Sequence, residues 1–251
     1  MDKNINKSSS LTEKISLCII FLIVIVGVIL SRVNIDFYNQ YYVKEDCFTE
    51  WLGVVALISC AFLYFYRLFT IKFSKGKKFF LCLLFSGLIF LFGAGEEISW
   101  GQRIFHIETP EFFKKHNAQQ EMNLHNLVIS FSSWSGDNKD TQLNKNPPKK
   151  KKIKINKIVF GAFLAVCIVF YFLILPILYR KKKEVRDFTN TFALPIPKII
   201  YVYAYILLFI LSELAVKRSG ELLEFGGCWI ILLMMLYPYN KDIFSKLKKQ
   251  S

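Results

Sequence analysis

The chain has 251 residues, 53% of them hydrophobic and 16% aromatic, and a formal net charge of +14. That charge first suggests a nucleic-acid binder. Most Lys and Arg, however, flank apolar blocks, where they anchor helix ends, and no zinc-finger spacing or aromatic RNA-binding pattern occurs, so no nucleic-acid partner is expected. The six cysteines form no C-x-x-C pair, so neither a zinc ribbon nor a dithiol motif is indicated.

The apolar residues come in long, nearly uncharged runs, which predicts an all-α, polytopic transmembrane helical bundle of about six spans. Residues 1–14 carry Lys3, Lys7 and Lys14 and read as a disordered basic N-terminus. The run at 15–33 has no small-residue cleavage site after it, so it is read as an uncleaved first span and not as a signal peptide. Residues 51–70 form the second span, with Trp51 at one edge and Tyr64 and Tyr66 near the other, as an aromatic belt places them. The third, 79–95, ends in Gly93-Ala94-Gly95, small residues that admit a close helix neighbour. Together these make a segment of three spans over 15–95.

Residues 96–131 form a polar, motif-bearing stretch, and 132–157 read as a flexible basic linker rich in Ser, Asn, Pro and Lys. Three further spans are expected over 158–239. The fourth, 158–179, carries Pro176; the fifth, 199–216, follows Pro195-Ile196-Pro197. The sixth has a short uninterrupted apolar core, 228–237, and reaches full length only by recruiting 221–227; a half-helix or an interfacial segment is the alternative. Residues 240–251 form a basic C-terminal tail. With the N-terminus in the cytoplasm, the basic segments at 3–14, 67–78, 180–198 and 241–249 all fall on the inner side, whereas the lysines at 149–157 oppose that orientation.

The chemistry-bearing residues cluster after the third span. If its helix continues, Glu96, Trp100 and Arg103 share one face, with Arg103 as a local partner for the adjacent carboxylates Glu96 and Glu97. All three histidines, His106, His116 and His125, fall in one short window. Glu121 and His125 are spaced i, i+4, and Leu124, Leu127, Val128 and Phe131 supply an apolar side, which predicts a short amphipathic helix at the membrane interface. Glu96, Glu97, Glu121 and His125 are therefore the candidate catalytic groups. Trp100, Gln102, Arg103, Asn123 and Asn126 are the candidate substrate-binding groups. Carboxylates and imidazoles of this kind suit a divalent metal or acid/base chemistry, but no diagnostic metal spacing is present. Glu213, inside the fifth run, and Glu224, in the sixth, are separate intramembrane candidates.

Glu96-Glu97-Ile98-Ser99-Trp100-Gly101-Gln102-Arg103, then Glu108-Thr109-Pro110, then Glu121-x-Asn123-Leu124-His125-Asn126 resemble an uncharacterised family of bacterial polytopic membrane proteins. The resemblance covers these blocks and the general hydrophobic layout. It implies an integral protein of the bacterial inner membrane and carries no catalytic role with it. Three functions remain open from the sequence: an enzyme acting on a lipid or other amphipathic substrate, a scaffold pinned by its polar block, and a transporter using Glu213 and Glu224.

Overall fold

A computed structural model describes residues 9–44, 46–71, 75–117, 119–124, 126–127, 129–130, 152–153 and 164–245. The six longest helices are α1 (Leu11–Val33), α2 (Phe48–Ile71), α3 (Lys77–Glu97), α4 (Leu164–Lys181), α5 (Ile199–Ser212) and α6 (Ser219–Leu236). All but α5 are long and apolar enough to cross a membrane. The chain is thus an all-α polytopic helical bundle, the described residues adding to it short helices and one two-residue antiparallel pairing, Ile129–Ser130 with Lys152–Ile153.

The chain forms two compact units, one of residues 1–97 with 169–251, the other of 98–168. In the first, α6 packs against α1, α2 and α5, and α2 against α3. Leu222, Ile230 and Met234 of α6 are fully buried. α6 starts at Ser219 and therefore takes in Glu221–Gly227, which makes it a full-length span. Its glycines explain why its apolar run is so short in sequence: they serve close approach. A Cβ on Gly226 would stand 2.5 Å from Cδ1 of Leu208 on α5.

The fifth run departs from expectation in the other direction. α5 has 14 residues, about 21 Å at 1.5 Å per residue, against about 30 Å of hydrocarbon. It ends at Glu213, and the chain turns through 213–218 to a left-handed Arg218 at φ 51°. α1 stabilises that turn: Arg32 Nη2 donates to the Leu214 carbonyl at 2.6 Å, and Val216 N donates to Ser31 Oγ at 3.2 Å.

α1 begins at Leu11, four residues before the expected start, because Ser10 and Glu13 form a capping box. Glu13 Oε2 accepts from Ser10 N at 2.7 Å, and Ser10 Oγ accepts from Glu13 N at 3.3 Å. Glu13 is 1% exposed and also accepts from Lys198 Nζ at 2.8 and 2.9 Å and from Tyr201 Oη at 2.5 Å, tying the start of α1 to the start of α5. In α4 the hydrogen-bond ladder widens to i→i+5 over Phe170–Ile174, just before Pro176, whose missing N–H interrupts the regular ladder.

Of the N-terminus expected to be disordered over 1–14, residues 11–14 are helical instead, and 1–8, like nearly all of the expected linker over 132–157, lie outside the described residues.

Candidate functional site

The second unit begins where α3 stops. Ser99, Trp100 and Gly101 all have positive φ, at 47°, 54° and 77°, so the helix does not run on to Arg103 as the face-sharing argument supposed. Three successive left-handed residues, two of them not glycine, are costly and persist only where surrounding contacts hold them. Short helices follow at Gln102–Phe105 and Glu111–His116. The amphipathic helix expected around Glu121 is absent among the described residues; 119–124 form turns and bends. Asn117 provides the reason. Its Oδ1 accepts from Gln119 N at 2.8 Å and Glu121 N at 3.3 Å, the self-capping turn that Asn favours over helix.

These turns assemble a buried polar network. Glu121 accepts from Arg103 Nη1 at 3.1 Å on one oxygen and 3.2 Å on the other, and from Ser99 Oγ at 2.5 Å. Asn123 Nδ2 donates to Ser99 Oγ at 2.9 Å and to Glu121 Oε2 at 3.3 Å. Asn117 Nδ2 donates to the Asn123 backbone and side-chain oxygens, both at 2.8 Å. Gln102 bridges outward, accepting from Met122 N at 2.6 Å and donating to Thr109 Oγ1 at 2.5 Å. Ser99, Gln102, Asn117 and Asn123 are all buried.

Chemically, this network is a clasp. Both Glu121 oxygens are engaged, so accepting a proton from a substrate would break bonds already made. Arg103, Gln102 and Asn123 are likewise committed to protein partners. Of the other candidates, Trp100 is 45% exposed, and Asn126 Nδ2 donates to Gln119 Oε1 at 2.5 Å. His106 caps a short helix and is exposed; His116 is exposed with its ring 5.0 Å from that of Phe112. His125 lies outside the described residues. Among the described residues no three His, Cys, Asp or Glu side chains gather in a way that could hold a metal ion. Ser99, Thr109 and Asn117 are network members that sequence reasoning missed; Ser99 and Thr109 stand inside the motif blocks, but nothing marked them as partners of Glu121.

A second constellation lies in the first unit. Glu97, in the last turn of α3, shares a side-chain hydrogen bond with Glu224 of α6, and Glu50 and Glu221 are close enough to act on it electrostatically. Glu50 lies in the first turn of α2 and Glu221 in the first turn of α6. Three packed helices thus bring four carboxyl groups to the same end of the bundle. The candidate catalytic Glu97 and the intramembrane candidate Glu224 are therefore one pair. Glu96 is buried in the same turn of α3, while Glu213 sits exposed at the end of α5.

The same end holds two buried phenols outside the spans. Burial pushes Tyr38 up to about 12, with the Glu221 charge adding to it and Arg218 opposing it. Burial likewise pushes Tyr42 up to about 12, helped by Tyr38. Tyr38 Oη donates to the Arg218 carbonyl at 3.4 Å, and both rings pack with Leu222 of α6. Compared with known proteins, the chain matches no family model, no curated protein and no solved structure.

Proposed function

We propose that this is a membrane-embedded enzyme of the bacterial inner membrane that acts on a lipid or other amphipathic substrate, with the Glu97–Glu224 pair as its acid and base. The observation that carries this reading is the hydrogen bond between those two carboxyl groups at the end of two membrane-competent helices. Two carboxyl groups sharing one proton supply both roles at once. The protonated one gives its proton to a leaving group, and the ionised one takes a proton from the attacking nucleophile. Glu121, Arg103, Gln102 and Asn123 hold the loop in shape. The N-terminus is assigned to the cytoplasm, because the basic helix ends gather at the opposite end of the bundle from the carboxyl groups.

A second reading is favoured by the location of the pair within spans: a carrier coupled to protons, with Glu97 and Glu224 taking up and releasing them. One experiment separates the two. Purified wild type, Glu97→Gln and Glu224→Gln are placed in phospholipid vesicles; lipid composition is followed by mass spectrometry and internal pH by a trapped dye. The enzyme reading expects a new lipid species with wild type that neither folded variant produces. Proton flux without lipid conversion supports the carrier. Absence of both, with an unchanged fold in the variants, leaves the pair a structural contact and overturns both readings.

A further inference from the structure

Arg67 lies near the C-terminal end of α2 and is 8% exposed. Its Nη2 donates to the Met235 carbonyl at 2.5 Å, and its guanidinium carbon lies 3.8 Å from the centroid of the Phe244 ring. Its Nη1 is buried and has no hydrogen-bond acceptor among the described residues. Among the described residues, the ionisable groups acting on it are Tyr64 and Cys60, neither of them a carboxylate. Among the described residues Arg67 thus has one carbonyl, one aromatic face and no carboxylate, a strongly unfavourable setting for a buried cation, because desolvation is not repaid by pairing.

The surroundings extend this positive field. The Phe244 ring lies 6.2 Å from that of Phe79, and Lys75 Nζ stands 5.8 Å from the Phe79 centroid. Lys75 donates to the carbonyls of Ile243 at 2.5 Å and Asp242 at 3.4 Å; burial draws its ammonium below lysine's usual range, opposed by the Asp242 charge. Along the same tail, Arg180 lies over Tyr239 at 5.1 Å. Arg180 Nε is likewise buried with no acceptor among the described residues.

We propose that the end of the bundle where Arg67 meets Phe244 binds the phosphate of an anionic phospholipid, with Arg67 as principal donor and Lys75 beside it. Arg67 stands near the end of a membrane-competent helix, the depth at which headgroup phosphates are concentrated, and a phosphate offers the acceptor oxygens that the guanidinium fork lacks. Phe244, which lies over the guanidinium, is itself only partly buried. Glu50 and Arg67 lie 17 residues apart on α2, about 26 Å along its axis. The site is therefore distinct from the carboxyl pair and does not rest on it.

The test uses the full chain purified in detergent and offered an equimolar mixture of phosphatidylglycerol and phosphatidylcholine, with bound lipid counted by native mass spectrometry. Both lipids offer a phosphodiester, but the choline cation of phosphatidylcholine is repelled beside Arg67 and Lys75, which corresponds to a preference of about tenfold or more for phosphatidylglycerol. That preference should fall to near one in Arg67→Gln and persist in the exposed control Lys241→Gln. Equal retention of both lipids by wild type, or a preference that survives Arg67→Gln, overturns the proposal. If millimolar inorganic phosphate displaces the lipid completely, the ligand is a free anion and the lipid assignment fails. Should Arg67→Gln not fold, Lys75→Gln decides: a severalfold loss of preference supports the site, and an unchanged preference overturns it.

Discussion

Replacing Lys198 by Met isolates what a buried charge contributes to this bundle. Glu13 is 1% exposed and Lys198 12%, so neither end of the pair is well hydrated. With the ammonium gone, the carboxylate keeps Tyr201 Oη at 2.5 Å and Ser10 N at 2.7 Å. Removing one partner of a buried ion pair costs roughly 3–5 kcal/mol. The two surviving donors place this case at the lower end, about 3 kcal/mol. For a chain of this size that corresponds to a fall in Tm of about 6–12 °C. The assay is thermal unfolding of the detergent-purified protein, followed by intrinsic fluorescence. The double variant Glu13→Leu with Lys198→Met removes both charges and should recover most of the loss, the remainder reflecting the Tyr201 hydroxyl left without its acceptor. A Lys198→Met shift below about 2 °C, or losses that simply add in the double variant, would refute the claim that this pair is a desolvated tie between α1 and α5.

Gly226→Ala should destabilise by about 1–3 kcal/mol, because the new methyl meets fully buried Leu208, which has nowhere to swing. Thermal unfolding measures it, and adding Leu208→Ala should restore part of the loss. Asn123→Ala deprives Ser99 and Glu121 of a shared donor and should raise the local opening of residues 98–127 by roughly 30-fold, equivalent to about 2 kcal/mol. Limited proteolysis of that segment should speed up accordingly while the unfolding midpoint of the helical bundle stays put.

The fold class could be read from the sequence because spans announce themselves by uninterrupted apolar runs, and the runs over α1, α2 and α3 needed little interpretation. The two C-terminal helices were harder, and for one reason. A helix at the centre of the bundle can carry Glu221, Glu224 and two adjacent glycines, since protein faces it on several sides, so α6 looks weak in sequence although it is full-length. α5 presents an unbroken apolar run, but Glu213 and the turn that follows stop it at Ser212. At the site, the motif residues were visible, and so was the importance of Glu121. Its partners depended on φ values at Ser99, Trp100 and Gly101 and on the turn made by Asn117, which helical periodicity cannot anticipate. The Glu97–Glu224 contact joins residues 127 positions apart, and no spacing rule reaches that far.

The shortness of α5 also bears on how the protein is made. A 14-residue apolar helix falls about 9 Å short of the hydrocarbon thickness and is a poor candidate to enter the bilayer alone from the ribosome. It would enter paired with α6, as a hairpin closed by the turn at 213–218. The carbonyl of Leu214 in that turn finds its donor in Arg32 of α1, synthesised long before it. α1 must therefore remain within reach until the turn at 213–218 has emerged. Final assembly waits on the last two helices, whatever the speed with which the first three are laid down.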